Sequence, residues 1–177
     1  MNTFDPTAPT FVREDEHTVF QGHFIKVVSV DVRVGHEVIN REYIVHPGAV
    51  TVVPVTADGF AVVLWQYRAA MGREILEVCA GKRDKPGEAP ELTAVRELDE
   101  EMGLQAKTVR PLGRFYNSPG FCDEETQMYL ATDISLGERH PEGPEERAMR
   151  FGLIDLFQVS SLIDYGVLTD AKTVLSL

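Results

Sequence analysis

The chain has 177 residues, of which 44% are hydrophobic and 25% charged, and it carries a formal net charge of −11. This size suits one main compact domain with room for a small extra element, and the composition is that of a globular protein rather than a disordered one. The negative charge repels polyanions and so excludes a nucleic-acid-binding module, whose affinity comes from Lys and Arg on phosphates.

The first ten residues, MNTFDPTAPT, contain neither a basic n-region nor an apolar h-region, and no stretch is long and apolar enough to span a bilayer. The expectation is a cytoplasmic protein with no membrane partner. Its two cysteines, Cys79 and Cys122, are then expected as reduced thiols.

Residues 1–18 are polar and carry two prolines, which predicts a loosely held arm. Phe24–Val34 alternates apolar and polar residues as a half-buried strand does, and Gly35-His36 turns it into a second strand, Glu37–Val45, making a hairpin. Two apolar β-type runs follow, Ala49–Val55 and Phe60–Tyr67, then a shorter strand at Glu74–Cys79. Val109–Tyr116 and Glu125–Thr132 predict two more strands around the loop NSPGFCDE. Gly137–Glu146 is a loop long enough to suggest a purpose. From Ser160 onward the pattern predicts short helices, with Asp170 as N-cap of the last.

Pro90–Met102 is the clearest helix, with Pro90 in its first turn and Gly103 just past its end. At about 100° per residue, Leu92, Val95, Leu98 and Met102 share one face, while Glu97, Glu100 and Glu101 share an arc about 100° wide on another. Three crowded carboxylates cost stability unless a cation relieves them. Arg96, one turn from Glu100, is one candidate, and a hard divalent ion is another. A solvated acidic face is the plain alternative.

The stretch around this helix decides between them. It runs Ala80-Gly81-Lys82-Arg83-Asp84-Lys85-Pro86-Gly87-Glu88 and closes as Arg96-Glu97-Leu98-Asp99-Glu100-Glu101-Met102-Gly103-Leu104. It resembles the Nudix box: Gly, five residues, Glu, seven residues, Arg-Glu, an aliphatic, any residue, Glu-Glu, any residue, Gly, an aliphatic. Every defined position from Glu88 onward matches, while six residues instead of five separate Gly81 from Glu88. An extra loop residue leaves the helix register untouched.

The resemblance implies an α/β (α+β) Nudix fold, a mixed β-sheet sandwiched between helices, preceded by the N-terminal antiparallel β hairpin. It also implies a division of residues. Glu97 and Glu101 bind Mg²⁺ (Mn²⁺ or Zn²⁺ as substitutes), the Ala80 carbonyl adds a backbone ligand, and Glu100 serves a further metal or the catalysis itself. Glu88, Arg96 and Gly81 support the site.

Two further segments resemble the ADP-ribose pyrophosphatase subfamily. One is Val63-Leu64-Trp65-Gln66-Tyr67-Arg68 with Glu74-Ile75-Leu76-Glu77-Val78-Cys79-Ala80-Gly81, where Cys79 stands in for the usual proline. The other is Ser118-Pro119-Gly120-Phe121-Cys122-Asp123-Glu124, with Pro119 sixteen positions after Gly103. This likeness assigns Arg68, Glu77, Pro119 and Gly120 to the substrate. The alternatives are an Arg68 paired with Glu74 or Glu77 at a strand end, and a Pro119-Gly120 that is merely a turn.

The general base in such enzymes often comes from a loop downstream of the box, which here ends Pro144-Glu145-Glu146-Arg147 and makes Glu146, then Glu145, the candidates. The implied activity is hydrolysis of a small nucleoside diphosphate, ADP-ribose, to AMP and ribose 5-phosphate. The implied assembly is a homodimer, with residues 1–46 as the dimerisation element and 47–177 as the hydrolase domain. The alternatives are another nucleoside-diphosphate sugar or dinucleotide as substrate, or an idle domain that only binds ADP-ribose.

Overall fold

The computed structural model describes residues 10–141 and 143–177. The chain forms two compact units, one from the described residues up to His46 with Ser118–Glu124, the other from Pro47–Asn117 with Glu125–Leu177.

In the first unit, β1 (Phe11–Gln21), β2 (Lys26–Val34) and β3 (Glu37–Val45) form an antiparallel sheet in that order. The hairpin β2–β3 turns at Gly35, whose φ of 61° is the left-handed conformation a tight turn demands. The expected loose arm is corrected here: from Phe11 on it is a strand, and residues 1–9 lie outside the described residues. Every residue of β1 is exposed and two register shifts interrupt it, so backbone pairing to β2 and the two-bond Arg33–Glu14 ion pair (2.6 and 2.9 Å) hold it without any apolar alternation to announce it. The loop Ser118–Glu124 runs along β3, with the Ile44 amide donating to the Phe121 carbonyl (2.8 Å) and the His46 amide to Asp123 Oδ1 (2.7 Å).

The second unit contains β4 (Ala49–Pro54), β5 (Phe60–Arg68), β6 (Arg73–Glu77), β7 (Cys79–Lys82), α1 (Pro90–Met102), β8 (Leu104–Tyr116), β9 (Glu125–Leu136), α2 (Pro144–Arg147), β10 (Arg150–Asp155), α3 (Val159–Asp164) and α4 (Ala171–Ser176). One sheet is ordered β7-β4-β9-β8 and mixed, since β4 and β9 run parallel; the other is β10-β5-β6 and antiparallel. All six residues of β4 are buried, as expected of a strand covered on both faces. Its Val50 and Val52 join a core with Ala94, Leu98 and Met102 of α1, while Val53 joins a second core with Leu168 and the tail helices. The sheet region thus lies between α1 and the C-terminal helices. Thr51 Oγ1 lies 3.0 Å from Ser176 Oγ, and the Val78 amide donates to Thr173 Oγ1 (3.0 Å), fixing α4.

Three expectations change. The run Glu74–Cys79 breaks at Val78 into β6 and β7, which belong to different sheets. The strand β10 was not anticipated. On α1, Leu92 and Val95 are 60% and 43% exposed, and the buried residues are Thr93, Ala94, Leu98, Glu101 and Met102. The small Ala94, fully buried, lets α1 lie close to the strands, and that rotation turns Glu101 inward.

Candidate active site

The helix α1 begins at Pro90 and stops at Gly103, whose φ of 62° and whose N–H to the Asp99 carbonyl form a left-handed cap. Between those limits, Glu97 and Glu101 stand one turn apart and point toward β7. Glu101 is buried, and its Oε2 accepts from the Ala80 amide and the Cys79 thiol, each at 3.4 Å. Glu97 lies directly on Gly81: a Cβ built there would sit 1.9 Å from the Glu97 carboxyl carbon. The glycine therefore clears the space that the carboxylate fills.

Burial pushes the Glu97 carboxyl up to about 7 against the pull of Arg96. Burial, with the neighbouring Glu97 charge added, pushes Glu101 up to about 8. Cys79 is raised well above the ordinary thiol range by burial and by Glu101, so it remains a protonated donor. Both cysteines are free.

Arg96 sits among acids. Its Nε and Nη2 donate to Glu88 (both 3.2 Å) and its Nη1 to Glu100 (2.8 Å), with Glu97 Oε1 2.7 Å away. Thr93 Oγ1 also donates to Glu88 (2.8 Å), so the loop before α1 is tied to its first and second turns. Arg96 and then Thr93 hold Glu88 below the usual carboxylate range. Glu100 shares Arg96 with Glu88 and Glu97 and lies 3.9 Å from Lys85 Nζ.

Glu146 on α2 is half-buried and its charge helps to raise Glu101, so these two carboxylates act on each other across 45 positions of sequence. Glu145 is exposed and lines a separate cleft with Trp65, Tyr67, Glu74 and Met149. Glu77 is fully buried at the end of β6, where it accepts both Arg68 Nε (2.7 Å) and Nη2 (2.6 Å), with Lys172 Nζ 3.6 Å away. Pro119 and Gly120 lie in the first unit, in a turn where the Phe121 and Cys122 amides both donate to the Ser118 carbonyl.

Two carboxylates on adjacent turns, one buried and one half-buried and repelling each other, offer the oxygen donors that a hard divalent cation satisfies. Among the described residues no group of three or more His, Cys, Asp or Glu side chains is placed to hold a metal ion.

A family model described as the NUDIX domain matches residues 45–174. The chain belongs to the Nudix family. Among its relatives, the ADP-ribose pyrophosphatase of Bacillus subtilis (strain 168) is 38% identical over 156 residues, covering 88% of this chain and 84% of the relative. The ADP-ribose pyrophosphatase of Mycobacterium tuberculosis (strain ATCC 25618 / H37Rv) is 36% identical over 137 residues, 77% of this chain and 66% of the relative. A solved structure titled as an ADP compounds hydrolase superposes with a TM-score of 0.83, at 22% identity, over 98% of this chain and 92% of its own, which establishes the shared fold.

In this Nudix chain the box therefore spans β7, the connecting loop and α1, and the extra loop residue leaves Gly81 packed against Glu97. Nudix hydrolases act with a divalent metal. Two parts of the neighbourhood escaped the sequence reading. Lys172 and Asp170, 2.6 Å apart, extend the Arg68–Glu77 pair; in sequence Asp170 reads only as a helix cap. Arg139, from the loop before α2, reaches the backbone of both Glu101 and Glu146. Its one signal in the sequence is indirect: the last turn of α1 contains no basic residue, which leaves its carbonyls to be answered from elsewhere.

Proposed function

We propose that this Nudix enzyme hydrolyses ADP-ribose to AMP and ribose 5-phosphate with Mg²⁺ as cofactor. The observation that carries the chemistry is the Glu97–Glu101 pair, Glu101 buried and Glu97 half-buried, packed against Gly81 and Ala80; the two ADP-ribose pyrophosphatases that are 38% and 36% identical to this chain support the choice of substrate. In this reading Glu97, Glu101 and the Ala80 carbonyl would hold Mg²⁺ and Glu100 would serve a further ion; a cation bound there would supply charge neutralisation of the pyrophosphate and a lowered pKa for water.

The residues of the chain do the remaining work. Glu146 takes the proton of the attacking water; the water oxygen bonds to one phosphorus as the bridging P–O bond breaks, and the leaving phosphate departs with the bridging oxygen. Glu145, exposed and turned to a different cleft, is the weaker base. Glu88 and Arg96 brace the loop and keep α1 in register, a supporting role for groups beside metal ligands. Arg68 is oriented by Glu77, and the two bonds to it use two of five guanidinium N–H donors; the others serve a substrate phosphate. The subfamily likeness assigns Pro119 and Gly120 to the substrate as well.

The protein works as a homodimer. The first unit leaves Phe11 and Phe20 on β1 and Phe24 in the turn after it exposed at 66%, 55% and 82%, and exposed apolar side chains along an edge strand favour pairing with another chain.

Phosphate released through alkaline phosphatase coupling, with Mg²⁺ and a panel of ADP-ribose, other nucleoside-diphosphate sugars and NADH, tests the assignment. ADP-ribose is expected to give the highest kcat/KM. A higher value on another compound reassigns the substrate, and binding of ADP-ribose with no turnover at all leaves the chain an idle binding domain.

A further inference from the structure

After β9 the chain docks on the C-terminal end of α1 through Gly137 and His140. The Gly137 amide donates to the Gly103 carbonyl (2.7 Å) and the His140 amide to the Glu100 carbonyl (3.1 Å). Between them Arg139 makes three contacts that bear on the site. Its Nε donates to the Glu101 carbonyl (2.6 Å), its Nη2 donates to the Glu146 carbonyl (2.8 Å), and its guanidinium stacks 4.5 Å from the Phe151 ring centroid on β10. Gly103 makes room for it: a Cβ there would sit 2.7 Å from Arg139 Cγ.

We infer that Arg139 is a positioning residue that fixes Glu146 relative to Glu101. Its planar fork spans two backbone carbonyls that no single hydrogen bond joins, one at the end of the box helix and one in the short α2. The stacked Phe151 ring limits rotation of the guanidinium. The cation also lies at the negative end of α1, where the helix supplies no basic residue of its own. The separation of the Glu101 and Glu146 backbones therefore depends on how firmly Arg139 ties them. Lysine, with a point charge in place of a fork, answers one carbonyl at a time.

This inference rests on the proposed hydrolysis with Glu146 as base, and the experiment separates the two. Arg139→Met, Arg139→Lys, Glu146→Gln and the double variant Arg139→Met with Glu146→Gln are compared with wild type in the presence of Mg²⁺. Arg139→Met is expected to lower kcat about 10- to 100-fold with KM changed less than about twofold, because an ångström of misplacement costs rate rather than binding. Arg139→Lys is expected to fall between it and wild type. In the Glu146→Gln background, itself slower by about 10²–10⁴-fold, the same Met substitution is expected to cost less than about twofold.

Amide hydrogen exchange on the same proteins requires no substrate. Residues 145–147 are expected to exchange faster in Arg139→Met while α1 is unchanged. Equal exchange, an unchanged kcat, a kcat loss matched by a rise in KM, wild-type turnover by Glu146→Gln, or the same loss in both backgrounds would overturn the positioning role. A wild type that leaves ADP-ribose intact refutes the substrate assignment, and the exchange result then decides on the clamp alone.

Discussion

Gly81 is where a single atom decides the site. The atoms that an added Cβ would strike belong to the far end of the Glu97 side chain, which swings aside more readily than backbone does. The Gly81→Ala variant is therefore expected to fold with stability within about 1 kcal/mol of wild type while its kcat falls by about two orders of magnitude as the carboxylate is displaced. Circular dichroism melting and steady-state kinetics on the same preparation test this. A variant with normal turnover removes the Gly81–Glu97 packing from the mechanism. Arg68 is a second case at this scale, since its strong two-point hold on a fully buried Glu77 makes it a residue whose direction is fixed before any ligand arrives.

The element that matters most is α1, because its acidic residues are sorted by how deeply the helix is set. Glu97 and Glu101 are driven up to about 7 and about 8, by burial first. For carboxylates raised in the folded state, the folded protein holds protons that the unfolded chain has already released. The stabilisation this gives is complete below the ordinary carboxylate range near 4.5 and is lost as pH rises through 7 to 8. Glu88, lowered by Arg96 and Thr93, contributes in the opposite direction, only as pH falls below its ordinary value. The metal-free protein is thus expected to lose on the order of a few kcal/mol, seen as a falling Tm, between pH 5 and pH 8.5. Added Mg²⁺ is expected to raise Tm more at pH 8 than at pH 5. A Tm that is flat over this window and indifferent to Mg²⁺ contradicts this account of Glu97 and Glu101. Much of this element was legible beforehand: Pro90, Gly103 and the spacing of Glu88, Arg96, Glu97 and Glu101 define the helix and its contacts. The depth of the helix was not. Leu92 and Val95 look like core by periodicity, yet the close approach permitted by Ala94 buries Thr93 and Glu101 and leaves those two exposed. The strands β1 and β10 were missed for related reasons, since β1 has no buried face to impose alternation and β10 is only six residues after a loop. Arg139 was invisible because its partners are backbone carbonyls, which no residue pattern records.

At the scale of the whole molecule, the net charge of −11 and the use of a phosphate-containing substrate are reconciled by a divalent cation between the two. No helix among the described residues is long and apolar enough to cross a membrane. The exposed phenylalanines of the first unit predict a homodimer, and sedimentation equilibrium at micromolar concentration is expected to return twice the 19.7 kDa chain mass; a monomer would refute it. The proposed hydrolysis joins all three scales: the box would supply the metal site and α2 the base, and the relatives point to the substrate. Its most direct test is to incubate the purified chain with ADP-ribose and Mg²⁺ and to separate the products by anion-exchange chromatography. Equal amounts of AMP and ribose 5-phosphate are expected, with none formed when Mg²⁺ is replaced by chelator. Intact ADP-ribose in the presence of Mg²⁺, or products cleaved elsewhere than at the pyrophosphate, would contradict the account.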